Sequence, residues 1–200
     1  MKRSLVLCIV FGALSAGPAL SGEIREHTTY FMVSGKSFDE LNRQLGMKGP
    51  DIGGGDRHAG STEVSFKSDT SYKAVPGGCR IGQARVKLDL RTTLPRWSAP
   101  SNSTRETRVL WKTLRDDIAT HEAEHAHIAK SWLKRIEDKI RSLPAEANCS
   151  LMESRANAEI RAMIKHHDAD QLAFDAAESK RIDARLKRKL DENMSRLAAR

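Results

Sequence analysis

The sequence predicts an α+β fold, in which a small, mainly antiparallel sheet from the amino-terminal half packs against a long helix and an antiparallel carboxyl-terminal helix. Three observations carry that expectation. Apolar residues alternate with a period of two over residues 86–91, and beyond Pro100 they step by three and four. Pro95, Trp97 and Pro100 are expected to end the sheet region. A chain of 200 residues, 39% hydrophobic and 30% charged, also fits one ordinary domain and leaves no room for a second enzyme domain.

Residues 1–21 are set apart from that domain. Lys2 and Arg3 precede an apolar run from Leu5 to Leu14, and Gly17-Pro18 and the small residues Ala19 and Ser21 follow. This is the order of a secretory signal, with cleavage expected before Gly22 and Ala16 as the second choice. The run is too short to span a bilayer comfortably. The expected product is secreted or periplasmic, with a domain over residues 22–179 and a basic helical tail over 180–200. Cys8 leaves with the signal, so Cys79 and Cys149 remain as an even pair in an oxidising compartment. Neither has a C-x-x-C neighbour, so a disulfide is expected rather than thiol metal ligation.

The elements follow in order. Thr28 to Ser34 is β-branched and aromatic and reads as a strand ended by Gly35. Ser37-x-x-Glu40 is a capping box opening a short helix through Leu45. Gly46 to Gly60 is a glycine-rich loop without the Gly-Lys-Ser/Thr ending of a phosphate-binding loop. Ser61–Lys67 and Thr70–Val75 are expected as two strands. After Cys79, Val86, Leu88 and Leu90 alternate with Lys87, Asp89 and Arg91, giving one buried and one wet face. Ser103-x-x-Glu106 then caps a helix expected over about 103–143, with Trp111, Leu114, Ile118, Ile128, Trp132, Ile136 and Ile140 as its apolar stripe. Pro144 and Asn148-Cys149 break it, and Leu151, Ile160, Ile164 and Leu172 mark a second helix. Ile182, Leu186, Leu190, Met194 and Leu197 continue as an amphipathic tail.

The informative motif lies within the long helix. His121-Glu122-Ala123-Glu124-His125 is an H-E-x-x-H, and residues four apart face the same side of a helix. Two imidazoles there can bind one zinc ion, with Glu122 reaching a metal-bound water. The histidines fill a gap in the apolar stripe between Ile118 and Ile128, where polar rings need a strong reason. The chemistry expected is peptide hydrolysis. Zinc lowers the pKa of its water toward about 7 and polarises the carbonyl, while Glu122 takes the proton and passes it to the leaving amine. His127 lies two positions past His125 and points elsewhere. Reflecting the motif about the break near residue 146 puts 121 opposite about 171 and 125 opposite about 167. His166, His167, Asp168, Asp170, Asp175 and Glu178 are then the candidates for a third ligand.

Several of these segments together resemble the bacterial DUF922 family of predicted secreted zinc-dependent proteases. They are Tyr30 to Gly35, Arg57-His58-Ala59-Gly60, Cys79, Thr93 to Trp97, the H-E-x-x-H, Cys149 and Phe174-Asp175. The resemblance implies a sheet beside a helical pair, a Cys79–Cys149 pairing, and metallopeptidase chemistry. It favours Asp175 as third ligand, because an aromatic-Asp pair recurs late in such sequences. One departure stands out. The resemblance implies T-x-H-G next, where this chain has Glu178-Ser179-Lys180-Arg181; if that histidine is the third ligand, Lys180 replaces it, and either Asp175, Glu178 or His167 substitutes or the site binds zinc weakly and lacks activity.

The function expected is that of a secreted or periplasmic zinc metallopeptidase acting on a peptide or protein substrate. The alternative is a non-catalytic zinc-binding or cell-envelope interaction protein. Charge separates these from a third class. The chain carries 34 Lys+Arg against 26 Asp+Glu, a net +8, but signs are interspersed and aromatic residues are only 5%. Stacking platforms for single-stranded nucleic acid are therefore not expected, and export argues against nucleic acid altogether. Without Lys2 and Arg3 the excess is +6, of which +5 lies in residues 180–200 and +1 in the body. The tail is thus the candidate contact for an anionic envelope surface. Nothing in the sequence specifies an oligomeric state.

Overall fold

Three strands form one mixed sheet of order β1-β3-β2 in a computed structural model that describes residues 22–53, 55 and 57–199. The signal expected over residues 1–21 lies outside the described residues. Strand β1 (Ile24–Val33) is followed by helix α1 (Phe38–Lys48), where the Ser37 hydroxyl accepts from the Glu40 amide. The Glu40 carboxylate accepts from the Lys36 amide at 2.7 Å, one residue earlier than in a standard capping box. Strand β2 (Ser61–Val75) turns through Pro76-Gly77 into β3 (Gly78–Trp97). Gly77 has φ +81°, which a side chain would disfavour.

The sheet is mixed, its longer ladder antiparallel as expected and its shorter one parallel. β2 runs antiparallel to β3, but β1 runs parallel to it, with Ile24 opposite Leu88 and Val33 opposite Trp97. The chain between β1 and β3 includes α1, a loop and β2, long enough to return a strand in the same direction. The two strands expected over 61–67 and 70–75 are one. Ser68 and Asp69 pair with Val86 and Arg85, so the polar interruption does not leave the ladder. Along β3 the buried positions are Cys79, then Ala84, Val86, Leu88 and Leu90, and finally Pro95. The change of parity after Cys79 follows a bulge, where Ser71 faces Gln83 and Tyr72 faces Ile81, leaving Gly82 extra. Pro95 sits within β3 rather than ending it. β2 pairing stops at Ser61 opposite Thr93, so β3 is bordered there only by β1.

Helix α2 (Arg105–Arg141) is capped by Thr104, whose hydroxyl oxygen accepts from the Thr107 amide at 3.0 Å, not by Ser103. Ser103 instead donates its hydroxyl to the Pro100 carbonyl at 2.7 Å. Helix α3 (Cys149–Ser179) begins at the Asn148 cap, and α4 (Ile182–Ala198) follows a short turn. Among the described residues no helix is long and apolar enough to cross a membrane. Val86, Leu88 and Leu90 of β3 pack with Ala129, Leu133, Ile136 and Ile140 of α2 and Ile160 of α3. A second cluster joins Val33, Leu41, Leu45, Trp111 and Ile118. Glu137, buried in the first cluster's helix, accepts from the Val86 amide at 2.8 Å, where β1 does not yet reach.

The Cys79–Cys149 disulfide is formed, with Cα atoms 5.0 Å apart. The same corner is held by main chain. The Cys79 amide donates to the Glu146 carbonyl at 2.8 Å, and the Glu146 amide donates back to Cys79 at 2.9 Å. Together they anchor the start of β3 to the connection between α2 and α3.

Candidate metal centre

Helical spacing places His121, Glu122 and His125 on the side of α2 that meets α3 and β2, in the seam between the two apolar clusters. Ile118 belongs to one cluster and Ala126 to the other. The turn between them carries polar side chains. Glu122, not either histidine, occupies the most buried position of that turn, at 4% exposure, while both imidazoles are half-buried on its flank toward α3. His127 is exposed, as its offset requires.

Three ligand atoms converge. His121 Nε2 and His125 Nε2 stand 3.1 Å apart, and Asp175 Oδ1 lies 3.3 Å from the first and 3.0 Å from the second. Atoms bound about 2.1 Å from a common tetrahedral centre stand about 3.4 Å from one another, so this spacing fits three ligands of one ion. His121, His125 and Asp175 thus form a group able to hold a metal ion. Phe174 packs against both imidazoles, its ring centroid 5.0 Å from each, and shapes the wall that holds them. The aromatic-Asp pair therefore supplies both a wall and a donor.

The other third-ligand candidates are engaged elsewhere. Glu178 is paired with Arg185 of α4. His167 is buried at 3% exposure, meets Phe66 edge-on, and hydrogen-bonds Asp168 and Gln171. His166 stacks on Trp132, and Asp170 accepts from the Trp132 indole at 2.9 Å. Lys180 caps the carboxyl end of α3 and is not part of the group.

Glu122 lines the same cleft as the three donors but is not one of them. The Thr62 hydroxyl lies 2.8 Å from Glu122 Oε2 and donates to it. Burial pushes the Glu122 carboxyl above its ordinary range, and the Thr62 hydrogen bond only partly offsets that. Burial and then the neighbouring His125 ring hold His121 below the usual histidine range, which favours the neutral imidazole that a metal requires. The cleft, about 750 Å³, is bordered by Gly60, by β2 residues 61–66 and by His58, which is near enough to Glu122 to act on it electrostatically.

Thr62, Phe174 and Gln171 complete the setting without having been assigned roles from the sequence. Gln171 could have been found, because the reflection put position 171 at the level of the motif. Thr62 carries no local signal at all.

The fold and site define an α+β protein with a candidate His-His-Asp metal centre on an H-E-x-x-H helix. The chain belongs to the DUF922 family, described as bacterial protein of unknown function, which matches residues 28–181. That span runs from β1 through α3 and contains all three converging donors, Glu122 and both cysteines. The family description carries no peptidase activity, so membership brings none with it. No curated protein and no solved structure matches the chain.

Proposed function

We propose that the protein is a zinc-dependent metallopeptidase acting outside the cytoplasm. The observation that carries this reading is the convergence of His121 Nε2, His125 Nε2 and Asp175 Oδ1 within 3.0–3.3 Å, beside a buried Glu122 in one cleft. Two imidazoles and one carboxylate are a donor set suited to zinc, and three protein ligands leave a fourth position open. Bound there, zinc supplies a water acidic near neutral pH and polarises a carbonyl oxygen. Glu122 is the proton carrier. Its burial favours proton uptake, and its place between the histidines lets it take a proton from water and return it to a leaving amine. Thr62 orients the carboxylate, and Phe174 packs against both imidazoles and holds them in place. The disulfide supports an oxidising compartment.

A non-catalytic zinc-binding role shares the same ligands and differs only at Glu122. It is favoured by Lys180, which stands where the family pattern has histidine. The exposed Lys180, Arg181, Lys187, Arg188 and Arg196 outnumber the exposed Asp183, Asp191 and Glu192 of the same segment, and this excess is what either protein would offer an anionic envelope surface.

Elemental analysis of residues 22–200 should find about one zinc per chain, lost in His121→Ala. Glu122→Gln should retain the metal and lower cleavage of a peptide library by about 10²–10⁴-fold. Equal cleavage in that variant would sink the mechanism. Zinc uptake with no Glu122-dependent cleavage would establish the non-catalytic role instead.

A further inference from the structure

We propose that Gln171 is a positioning residue that fixes His125 in the Nδ1–H tautomer and so presents its Nε2 lone pair to the metal centre. The inference rests on the metal reading of His121, His125 and Asp175 and states what readies His125 before an ion arrives.

The assignment follows from which groups can only accept or only donate. Gln171 Nε2 lies 3.0 Å from the His125 main-chain carbonyl, an acceptor only, so the amide nitrogen belongs at that end. The same nitrogen lies 2.9 Å from His167 Nε2, which therefore accepts as well. His167 then carries its proton on Nδ1 and donates it to Asp168 Oδ1 at 2.9 Å. The amide is held by acceptors on its nitrogen side, and its oxygen must face the other way. Gln171 Oε1 lies 2.6 Å from His125 Nδ1, and an amide oxygen can only accept. Nδ1 of His125 is accordingly the donor.

A neutral imidazole has one N–H. With the proton on Nδ1, Nε2 keeps its lone pair; without metal it faces Asp175 Oδ1 at 3.0 Å, and a proton on His121 Nε2, 3.1 Å from His125 Nε2 and 3.3 Å from that oxygen, satisfies the contact in place of one on His125. The partner of one ring nitrogen thus decides the chemistry of the other. Gln171 lies one helical turn before Asp175 on α3, so a single element supplies both a ligand and the group that prepares another ligand.

The test reads the tautomer without metal. In ¹⁵N-labelled, metal-free protein, two-bond ¹H–¹⁵N correlations should show His125 protonated at Nδ1 and bare at Nε2. Gln171→Leu removes the acceptor. Its His125 proton should shift toward Nε2, and zinc affinity, measured against a chromophoric chelator, should fall about 10–100-fold. Gln171→Glu keeps the acceptor and should restore the Nδ1–H signature and most of the affinity. Its carboxylate cannot donate to His167, so His167 Nε2 should gain a proton while Nδ1 keeps its own toward Asp168 Oδ1. This second signature carries the test if the leucine variant does not fold. An Nε2–H tautomer in the parent protein, or a parent-like tautomer and zinc affinity in Gln171→Leu, would overturn the proposal. A tautomer that depends on Gln171 in a protein that takes up no zinc would refute the metal reading and leave the hold on His125 standing.

Discussion

One methyl group at residue 60 would collide with the carboxylate on which the proposed chemistry depends. A Cβ built on Gly60 stands 2.9 Å from Glu122 Oε1 and 2.9 Å from Ile118 Cγ2. Ile118 is packed in a cluster and cannot retreat freely, so the strain falls on Glu122 and the loop. Gly60→Ala should cost about 1–3 kcal/mol in urea unfolding and reduce cleavage without removing the metal. A variant as stable and active as the parent would show that Glu122 does not need this gap. At this scale the sequence revealed what is local. His121, Glu122 and His125 are fixed relative to one another by helical geometry alone, and a single segment displays them. Asp175 lies on another helix, so spacing could only restrict it to a group of candidates, and the family resemblance was needed to favour it. Reflection about residue 146 matched 125 with 167, whereas the structure matches His125 with Gln171 and His121 with Asp175, a reflection about 148. The difference comes from the connection, because α3 starts at Cys149 and its cap, not Pro144, marks the corner.

Elements explain how α4 is held. Asp117 of α2, only 3% exposed, accepts from Arg185 Nε and Nη2 at 3.1 Å each and from Lys189 Nζ at 2.7 Å. Asn193 adds a hydrogen bond to Thr113 at 2.9 Å. The apolar periodicity of Ile182 to Leu197 made this helix legible, but its docking was not, because the basic residues that hold it read only as tail charge. The buried acid that receives them lies 68 residues earlier than Arg185. Burial alone would raise the Asp117 pKa, but hydrogen bonds and charge from Arg185 and Lys189 outweigh it and hold the carboxyl below its ordinary 3.8. A carboxyl depressed in the fold contributes stability that is present above its unfolded value and lost as pH falls through the folded one. The protection factors of the α4 amides, measured against the intrinsic rate at each pH, should therefore fall below about pH 4. Asp117→Asn should abolish that acid step and cost about 3 kcal/mol near neutral pH, the lower end for breaking a buried pair because Lys189 remains partly solvated. Unchanged α4 protection in the variant would mean that apolar contact alone seats the helix.

Across the whole molecule, the disulfide joins the two halves that the sequence separates by periodicity. Cys79 opens the buried face of β3 and Cys149 opens α3, and the pair sits in a cluster with Leu143, Met152 and Ala156. Since α3 carries Gln171 and Asp175, its starting point bears on where the third donor arrives beside α2. The 70-residue separation makes the cross-link worth about 4 kcal/mol by restricting the unfolded chain. Reduction under native conditions should lower the unfolding free energy by about that amount while leaving the sulfur atoms in their packing. Cys79→Ala/Cys149→Ala should cost more, because Cys79 is fully buried and its loss also opens a cavity. The paired main-chain bonds between Cys79 and Glu146 remain in both cases and keep the corner formed. Zinc affinity should accordingly fall less than stability does. If reduction instead abolished zinc uptake while the fold persisted, α3 would be placed by the sulfur bridge rather than by its packing on α2 and the sheet.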